Sequence, residues 1–185
     1  MRNLIKKIVK PESDVETLIT NDSDFIAGAG HGKPRRGHPE GQIIYHIGEV
    51  LGNVEKHHTV DDRLDLRLIT IIHDTFKYKV NGNLPKRGEN HHGMIARRFA
   101  EKFISENHLL TIIELHDEAY NAWQIGGRRG NWDKAEVRAN HLIKRLIIEN
   151  CLELYIKFLH CDGETGDKDC GVYEWFVDLT NKYVN

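Results

Sequence analysis

Residues 64–77 read LDLRLITIIHDTFK and combine a run of leucine and isoleucine with a histidine–aspartate pair. Leu64–Ile72 is apolar enough to form a helix buried at the centre of a domain. His73 and Asp74 follow this run directly, and Lys77 comes three residues after the aspartate. Polar groups beside a buried helix must be paired or bound, because burying them unpaired is unfavourable. The stretch therefore predicts a helical core that carries a polar cluster, although a solvated helix end would show the same pair.

The rest of the chain also predicts helices rather than strands. Apolar residues recur with a helical period through Ile43–Val54, in a helix predicted to begin at Pro39. Further helices are predicted from Leu109 to about Trp123 and from Trp132 to about His160. No segment alternates polar and apolar residues over a useful length, so we expect an all-α chain with residues 1–185 in a single domain.

Composition narrows the class of protein. Hydrophobic residues make up 39% and charged residues 29% of 185 residues, as in a globular protein that stays in solution. The net charge of −2 argues against a protein that coats nucleic acid. Cys151, Cys161 and Cys170 form no CxxC pair, which favours a reducing compartment. Residues 1–10 lack the long apolar region of a signal peptide and no later run has membrane-spanning length, so we expect a cytoplasmic protein.

Four further polar residues stand beside apolar helical runs. His46 lies inside the amphipathic helix, His92 opens another helix, His116 ends an apolar run, and Asp162 follows the long helix. A lone histidine on an apolar face is more often a packed core residue than a ligand. Together with His73 these positions lie on different helices, and helical bundles bind metals through side chains that project inward from facing helices.

The order His46, His73-Asp74, Asp162 resembles the H…HD…D signature of the HD-domain superfamily, whose members are all-helical metal-dependent enzymes. The first spacing, 27 residues, is typical of that family. The resemblance covers roughly residues 41–167, and it implies a single HD-type helical bundle.

In the two-metal branch of the superfamily, the resemblance implies a centre in which Asp74 bridges two divalent transition-metal ions. The implied ligands are His46, His73, Asp74, His92, His116 and Asp162. Three neighbours compete with them: His91, Asp117 and His160. We prefer His92 because Ala96 then falls in register with the family's third motif. A shell of imidazoles and carboxylates suits iron or manganese first, with zinc, cobalt or nickel as alternatives.

The resemblance also implies that Asp74 and Lys77 are catalytic, since many members carry a lysine at the position of Lys77. Phe76, however, replaces the small residue that usually precedes that lysine. Two basic loops flanked by glycine are candidates to bind a substrate phosphate, because arginine binds phosphate bidentately and glycine lets backbone amides approach an anion. They contain Lys33, Arg35 and Arg36 in the first loop, and Arg128 and Arg129 in the second. Solvated surface charge is the alternative for both loops.

The function that the resemblance implies first is a phosphohydrolase. Such an enzyme would cleave a small phosphorylated substrate (a phosphomonoester, nucleotide or phosphodiester) with a metal-activated hydroxide. The alternative is a mixed-valent di-iron oxygenase of the myo-inositol oxygenase type, although Tyr120 stands where those enzymes usually carry a lysine. A second alternative is a non-catalytic HD module that senses a nucleotide. Many members of the superfamily self-associate, so a homodimer is compatible with the resemblance.

Overall fold

Eleven α-helices and two short 3₁₀ turns make up the secondary structure of this computed structural model, which describes residues 1–35, 39–166 and 171–184. The helices are α1 (Arg2–Val9), α2 (Asp14–Asn21), α3 (Ser23–Ala29), α4 (Ile43–His57), α5 (Arg63–Ile72), α6 (His92–Ala100), α7 (Asn107–Leu115), α8 (Glu118–Gly127), α9 (Trp132–Ile148), α10 (Leu152–Gly163) and α11 (Gly171–Val184). The 3₁₀ turns are Thr75–Lys79 and Gly88–Asn90. The described ranges contain no β-strand, which confirms the all-α prediction. None of the helices found in these ranges has the length and apolarity needed to cross a membrane.

Helix α5 lies at the centre of the fold, and α4, α7 and α10 pack around it. Leu66, Ile69, Ile71 and Ile72 of this helix have no exposed surface, as expected for a central helix. Leu64, in the first turn of this helix, is instead 54% exposed. The buried apolar side chains of the described residues join into one continuous core.

The helix boundaries differ from those predicted at three places. The predicted helix from Trp132 to His160 is divided into α9 and α10, because Asn150 adopts a φ of 51°, a left-handed conformation that ends a helix. The predicted helix from Leu109 to Trp123 is divided into α7 and α8 at His116. The helix predicted from Pro39 begins at Ile43 instead, since Gly41 takes a φ of 80° just before it.

A buried ion pair attaches the N-terminal helices to α5. Arg67 donates hydrogen bonds from Nε and Nη2 to the two carboxylate oxygens of Glu16, over 2.9 and 3.0 Å. Nη2 of Arg67 also donates to the carbonyl of Val9 over 3.1 Å. Glu16 is 1% exposed and Arg67 is 3% exposed, so each charge depends on the other for its stability.

Helices α6 and α7 approach each other closely at Gly93. A Cβ atom at this position would lie 2.2 Å from the carbonyl oxygen of Glu114, so only glycine fits. Gly93 follows His92 directly, and Glu114 lies two residues before His116. The close approach therefore sets the distance between the first turn of α6 and the last turn of α7.

We expect Gly93→Ala to lower the free energy of unfolding by about 1–3 kcal/mol, because the two helices must move apart. Gly52→Ala is the matched control, since it also lies in a helix but its Cβ would meet nothing within 4 Å. Gly52→Ala should raise the free energy of unfolding by about 0.5–1 kcal/mol, the usual effect of replacing a helical glycine with alanine. Urea unfolding followed by circular dichroism measures both, and equal effects would contradict the close approach.

Glu16→Ala should lower the free energy of unfolding by about 3–5 kcal/mol, because it leaves the Arg67 guanidinium buried without its carboxylate partner. Glu12→Ala removes a more exposed carboxylate, which contacts Arg63 and Arg67 from the surface. That change should cost about 1 kcal/mol or less. Chemical denaturation measures both free energies of unfolding. Comparable decreases in the two variants would show that the buried ion pair contributes no more to stability than the exposed one.

Candidate metal centre

The six residues predicted as ligands come together at the centre of the fold, although they lie on five separate helices or helix ends. His46 lies within α4, His73 and Asp74 follow the end of α5, His92 begins α6, His116 follows α7, and Asp162 lies in the last turn of α10. They form two groups, each with ligand atoms within 4.8 Å of one another. The first group is His46, His73 and Asp162; the second is Asp74, His92 and His116. These buried groups could hold metal ions.

The carboxylate of Asp74 lies between the two groups. Its Oδ1 is 3.2 Å from Nε2 of His116 and 3.5 Å from Nε2 of His92. Its Oδ2 is 3.7 Å from Nε2 of both His46 and His73. One oxygen therefore faces each group, which is the orientation that a bridging carboxylate needs in order to bind two metal ions.

In the first group, the imidazoles of His46 and His73 face each other and Asp162. Their Nε2 atoms are 3.3 Å apart, and Nε2 of His46 is 3.0 Å from Oδ1 of Asp162. Nε2 of His73 is 3.8 Å from the same oxygen. Cys161 lies beside Asp162, but burial raises the pKa of its thiol to about 12, so the thiol is protonated and inert at neutral pH.

Backbone carbonyls fix the tautomers of two of the histidines. Nδ1 of His73 lies 2.9 Å from the carbonyl oxygen of Thr70, and Nδ1 of His116 lies 2.9 Å from that of Ile113. A carbonyl oxygen can only accept, so each Nδ1 carries the proton and each neutral ring presents the lone pair of Nε2 to the centre. Metal-binding histidines are held in this way in many proteins.

The resulting arrangement suits a bound cation. The lone pair of His116 Nε2 faces the carboxylate of Asp74 over 3.2 Å, and two acceptors at this distance repel each other unless a proton or metal ion lies between them. Burial opposes protonation of His116, but the hydrogen bond to Asp74 and the negative charges of Asp117 and Asp74 raise its pKa overall. The pocket therefore attracts positive charge.

Burial gives the other groups the charge states that ligands need. It lowers the pKa of His73 to about 3, despite the opposing charge of Asp74, so this imidazole stays neutral. Burial also lowers the pKa of His92. Burial opposes ionisation of Asp74, but the ammonium of Lys77 and the surrounding histidines hold its pKa well below the ordinary value. Neutral imidazoles and an ionised carboxylate are the forms that bind metals.

His92, rather than His91, faces Asp74. Nδ1 of His91 accepts a hydrogen bond from the backbone N–H of Gly93 over 3.2 Å and so caps α6. Its Nε2 therefore carries the proton and points to Oδ2 of Asp117, 3.3 Å away. Burial opposes ionisation of Asp117, yet the hydrogen bond from His91 and the neighbouring histidines lower its pKa. The hydrogen-bonded pair of His91 and Asp117 thus lies beside the second group.

Tyr155 of α10 holds the break between α7 and α8 that carries His116. Its hydroxyl oxygen is 3.1 Å from the carbonyl oxygen of Leu115 and 3.3 Å from that of His116. The same oxygen accepts a hydrogen bond from the backbone N–H of Ala119 over 3.2 Å. Burial raises the pKa of Tyr155 well above its ordinary value, so the hydroxyl keeps the proton that it donates.

Glu40 is a further residue of the centre that sequence reasoning missed. Its buried carboxylate places Oε1 3.6 Å from Nδ1 of His46, on the side of the ring opposite the metal-facing nitrogen. Carboxylates in this position orient a ligand histidine and raise its basicity. Glu40 lies in the turn before α4, within the segment predicted to be helical, and no motif marked it.

The residues predicted to bind substrate are placed in different ways. Lys77 lies at the centre, where its Nζ donates to Oδ2 of Asp74 while its side chain stays 28% exposed. Arg35 is exposed, whereas Arg36 lies outside the described residues. Arg128 and Arg129 are exposed, and Arg128 donates to the hydroxyl of Tyr120 over 2.8 Å. The substrate role of these arginines stays a prediction.

The adjacent histidines provide a direct test of the centre. Protein loaded with Mn²⁺ without oxygen should retain two metal ions per chain, and His92→Ala should lose at least one. His91→Asn is the matched control, because asparagine also caps helices and this side chain faces Asp117 instead of Asp74. Elemental analysis after gel filtration gives the stoichiometry. Loss of metal from His91→Asn but not from His92→Ala would show that His91, and not His92, is the ligand.

Compared with known proteins, the chain matches no protein-family model, no curated protein and no solved structure. Its function is therefore argued from the chemistry of the centre.

Proposed function

We propose that the chain is a metal-dependent phosphohydrolase of the HD-domain type, acting on a small phosphomonoester, nucleotide or phosphodiester. The orientation of Asp74 is the observation that carries this proposal, since its two oxygens face two separate groups of ligands. A centre that holds two metal ions close together can bind both the attacking and the leaving oxygen of a displacement at phosphorus.

The donor set favours particular metals. Four imidazoles and two carboxylates surround the centre, and Cys161 beside it is a protonated thiol. This combination suits iron or manganese, and it also accommodates zinc, cobalt or nickel. Two such ions, when bound, would supply a hydroxide at neutral pH and stabilise negative charge on phosphoryl oxygens.

Lys77 is the residue best placed to bind a substrate phosphate. Its ammonium contacts Asp74, the carboxylate shared by both groups, and part of its side chain reaches solvent. Lysine binds phosphate as a flexible point charge, so Nζ can turn from Asp74 to an oxygen of an arriving substrate. Lys77 would then hold the phosphoryl group beside the ligands and stabilise its charge.

The side chains around the centre exclude water from its inner half. His46 and His73 are almost fully buried, and the ring of Phe158 packs edge-on against His73 with centroids 5.1 Å apart. His92 and Asp162 are partly exposed and mark the side from which substrate would enter. Charges act more strongly in such an enclosed site than in water, which favours catalysis by electrostatic stabilisation.

We expect the Mn²⁺-loaded protein to release nitrophenol from p-nitrophenyl phosphate or from bis(p-nitrophenyl) phosphate. Lys77→Ala should lower kcat by about 10²-fold or more, because it removes a charge aimed at the transition state, while metal content stays the same. Lys79→Ala is the matched control, since Lys79 lies in the same 3₁₀ turn but pairs with Asp24. Its activity should remain within about a factor of two of the wild type, as expected for an exposed ion pair.

Other outcomes would replace the proposal by one of its two alternatives. Oxygen uptake with a polyol or phosphonate by the iron-loaded protein, together with no release of nitrophenol, would favour the di-iron oxygenase. A mixed-valence electron paramagnetic resonance signal would accompany that activity. Tight nucleotide binding without turnover under any metal would favour the sensing module.

A further inference from the structure

A separate group of histidine and carboxylate side chains, the surface group, lies apart from the six predicted ligands of the centre. It consists of His57, His160 and Glu164, whose ligand atoms all lie within 4.8 Å of one another. His57 is the last residue of α4, and His160 and Glu164 lie four residues apart at the end of α10. Residues with this spacing project from the same face of a helix, so α10 supplies two neighbouring ligands and α4 supplies the third.

The two imidazoles converge on a single carboxylate. Nε2 of His57 is 2.8 Å from Oε2 of Glu164, and Nε2 of His160 is 3.2 Å from its Oε1. The two rings lie with their centroids 4.4 Å apart. In the absence of a metal, both Nε2 atoms must carry protons in order to donate to the carboxylate. A cation bound between the three side chains would take the place of those protons, and each neutral imidazole would then carry its proton on Nδ1.

We propose that His57, His160 and Glu164 bind one zinc ion. Two histidines and one glutamate are a common zinc-binding set, in which a water molecule or another ligand takes the fourth position. The group borders a cleft of about 470 Å³ that is also lined by Asn53 and Thr165, so there is room for that fourth ligand. Zinc binding by these three side chains does not presuppose the proposed phosphohydrolase activity.

The side chains are already oriented for binding. The ring of His160 stacks on Tyr173 of α11 with centroids 4.4 Å apart, which restricts its rotation. Lys56 also lines the cleft, and its ammonium donates to Oδ1 of Asn53 over 3.0 Å. The three ligand side chains are between 29% and 38% exposed, so zinc can reach them without unfolding the protein.

Zinc at this site would join two helices that also carry ligands of the buried centre. His46 lies on α4, and Asp162 lies between His160 and Glu164 in the last turn of α10. The side chain of Asn53 already connects these helices by donating to the carbonyl of Cys161 over 2.9 Å. The surface zinc would therefore stabilise the turn that positions Asp162.

Zinc titration against a chromophoric chelator tests the site by comparing the wild type with a His57→Ala/Glu164→Gln double variant. The double variant should bind one fewer zinc ion per chain at zinc concentrations that saturate the wild type. The affinity of the altered site should fall at least about tenfold, because even residues that contact a metal ligand indirectly have effects of this size. His58→Ala is the control, because His58 is adjacent but bonds to the carbonyl of Thr59 instead. That control should bind as many zinc ions as the wild type.

Both proteins keep all six residues of the buried centre, so zinc bound by those six residues is common to the wild type and the double variant. Equal stoichiometry and affinity in the wild type and the double variant would overturn the proposal. Carbethoxylation with diethyl pyrocarbonate gives a second measurement that needs no substitution. Zinc should protect His57 and His160 from modification, read by peptide mass spectrometry, while His58 should react as before; unprotected His57 and His160 would also overturn it.

Discussion

The ionised carboxylate of Asp74 is the interaction on which the arrangement of this protein depends. A carboxylate that is only 4% exposed is strongly destabilised unless positive or hydrogen-bonding partners replace the lost water. Lys77 supplies a positive charge at one oxygen, and His92 and His116 approach the other. Because these partners come from three different parts of the chain, α5, α6 and α7 must all begin or end at one place.

The ends of the helices, rather than their middles, supply most of the centre, and backbone chemistry explains why. The last turn of a helix leaves carbonyl oxygens without an amide partner in the same helix. In α5 and α7 the carbonyls of Thr70 and Ile113 accept instead from Nδ1 of His73 and His116. The same local geometry thus occurs twice, and each time it satisfies a backbone group while turning Nε2 toward Asp74. Helix ends are suited to hold histidines as neutral ligands for this reason.

Local signals in the sequence predicted the helical class, and the resemblance to the HD-domain signature selected the six residues that gather at the centre. Apolar periodicity marks the helices, and His46, His73 and Asp74 each stand next to an apolar run. The break at His116 left no such signal, since the apolar pattern continues from α7 into α8. It is held by the hydroxyl of Tyr155, which lies far along the chain. Glu40 was missed for a similar reason: only folding brings its carboxylate near His46.

Helices α4 and α10 connect the buried centre to the surface group, and the difference in burial gives the two groups different chemistry. At the centre, burial keeps His73 neutral and would shield a bound ion from water and from competing chelators. His57, His160 and Glu164 keep about a third of their surface in solvent, so a metal ion would reach and leave this site readily. Asp162 lies within one helical turn of the surface group and also contacts His46. A cation at the surface would therefore act on the centre through the last turn of α10, by limiting the positions that Asp162 can adopt.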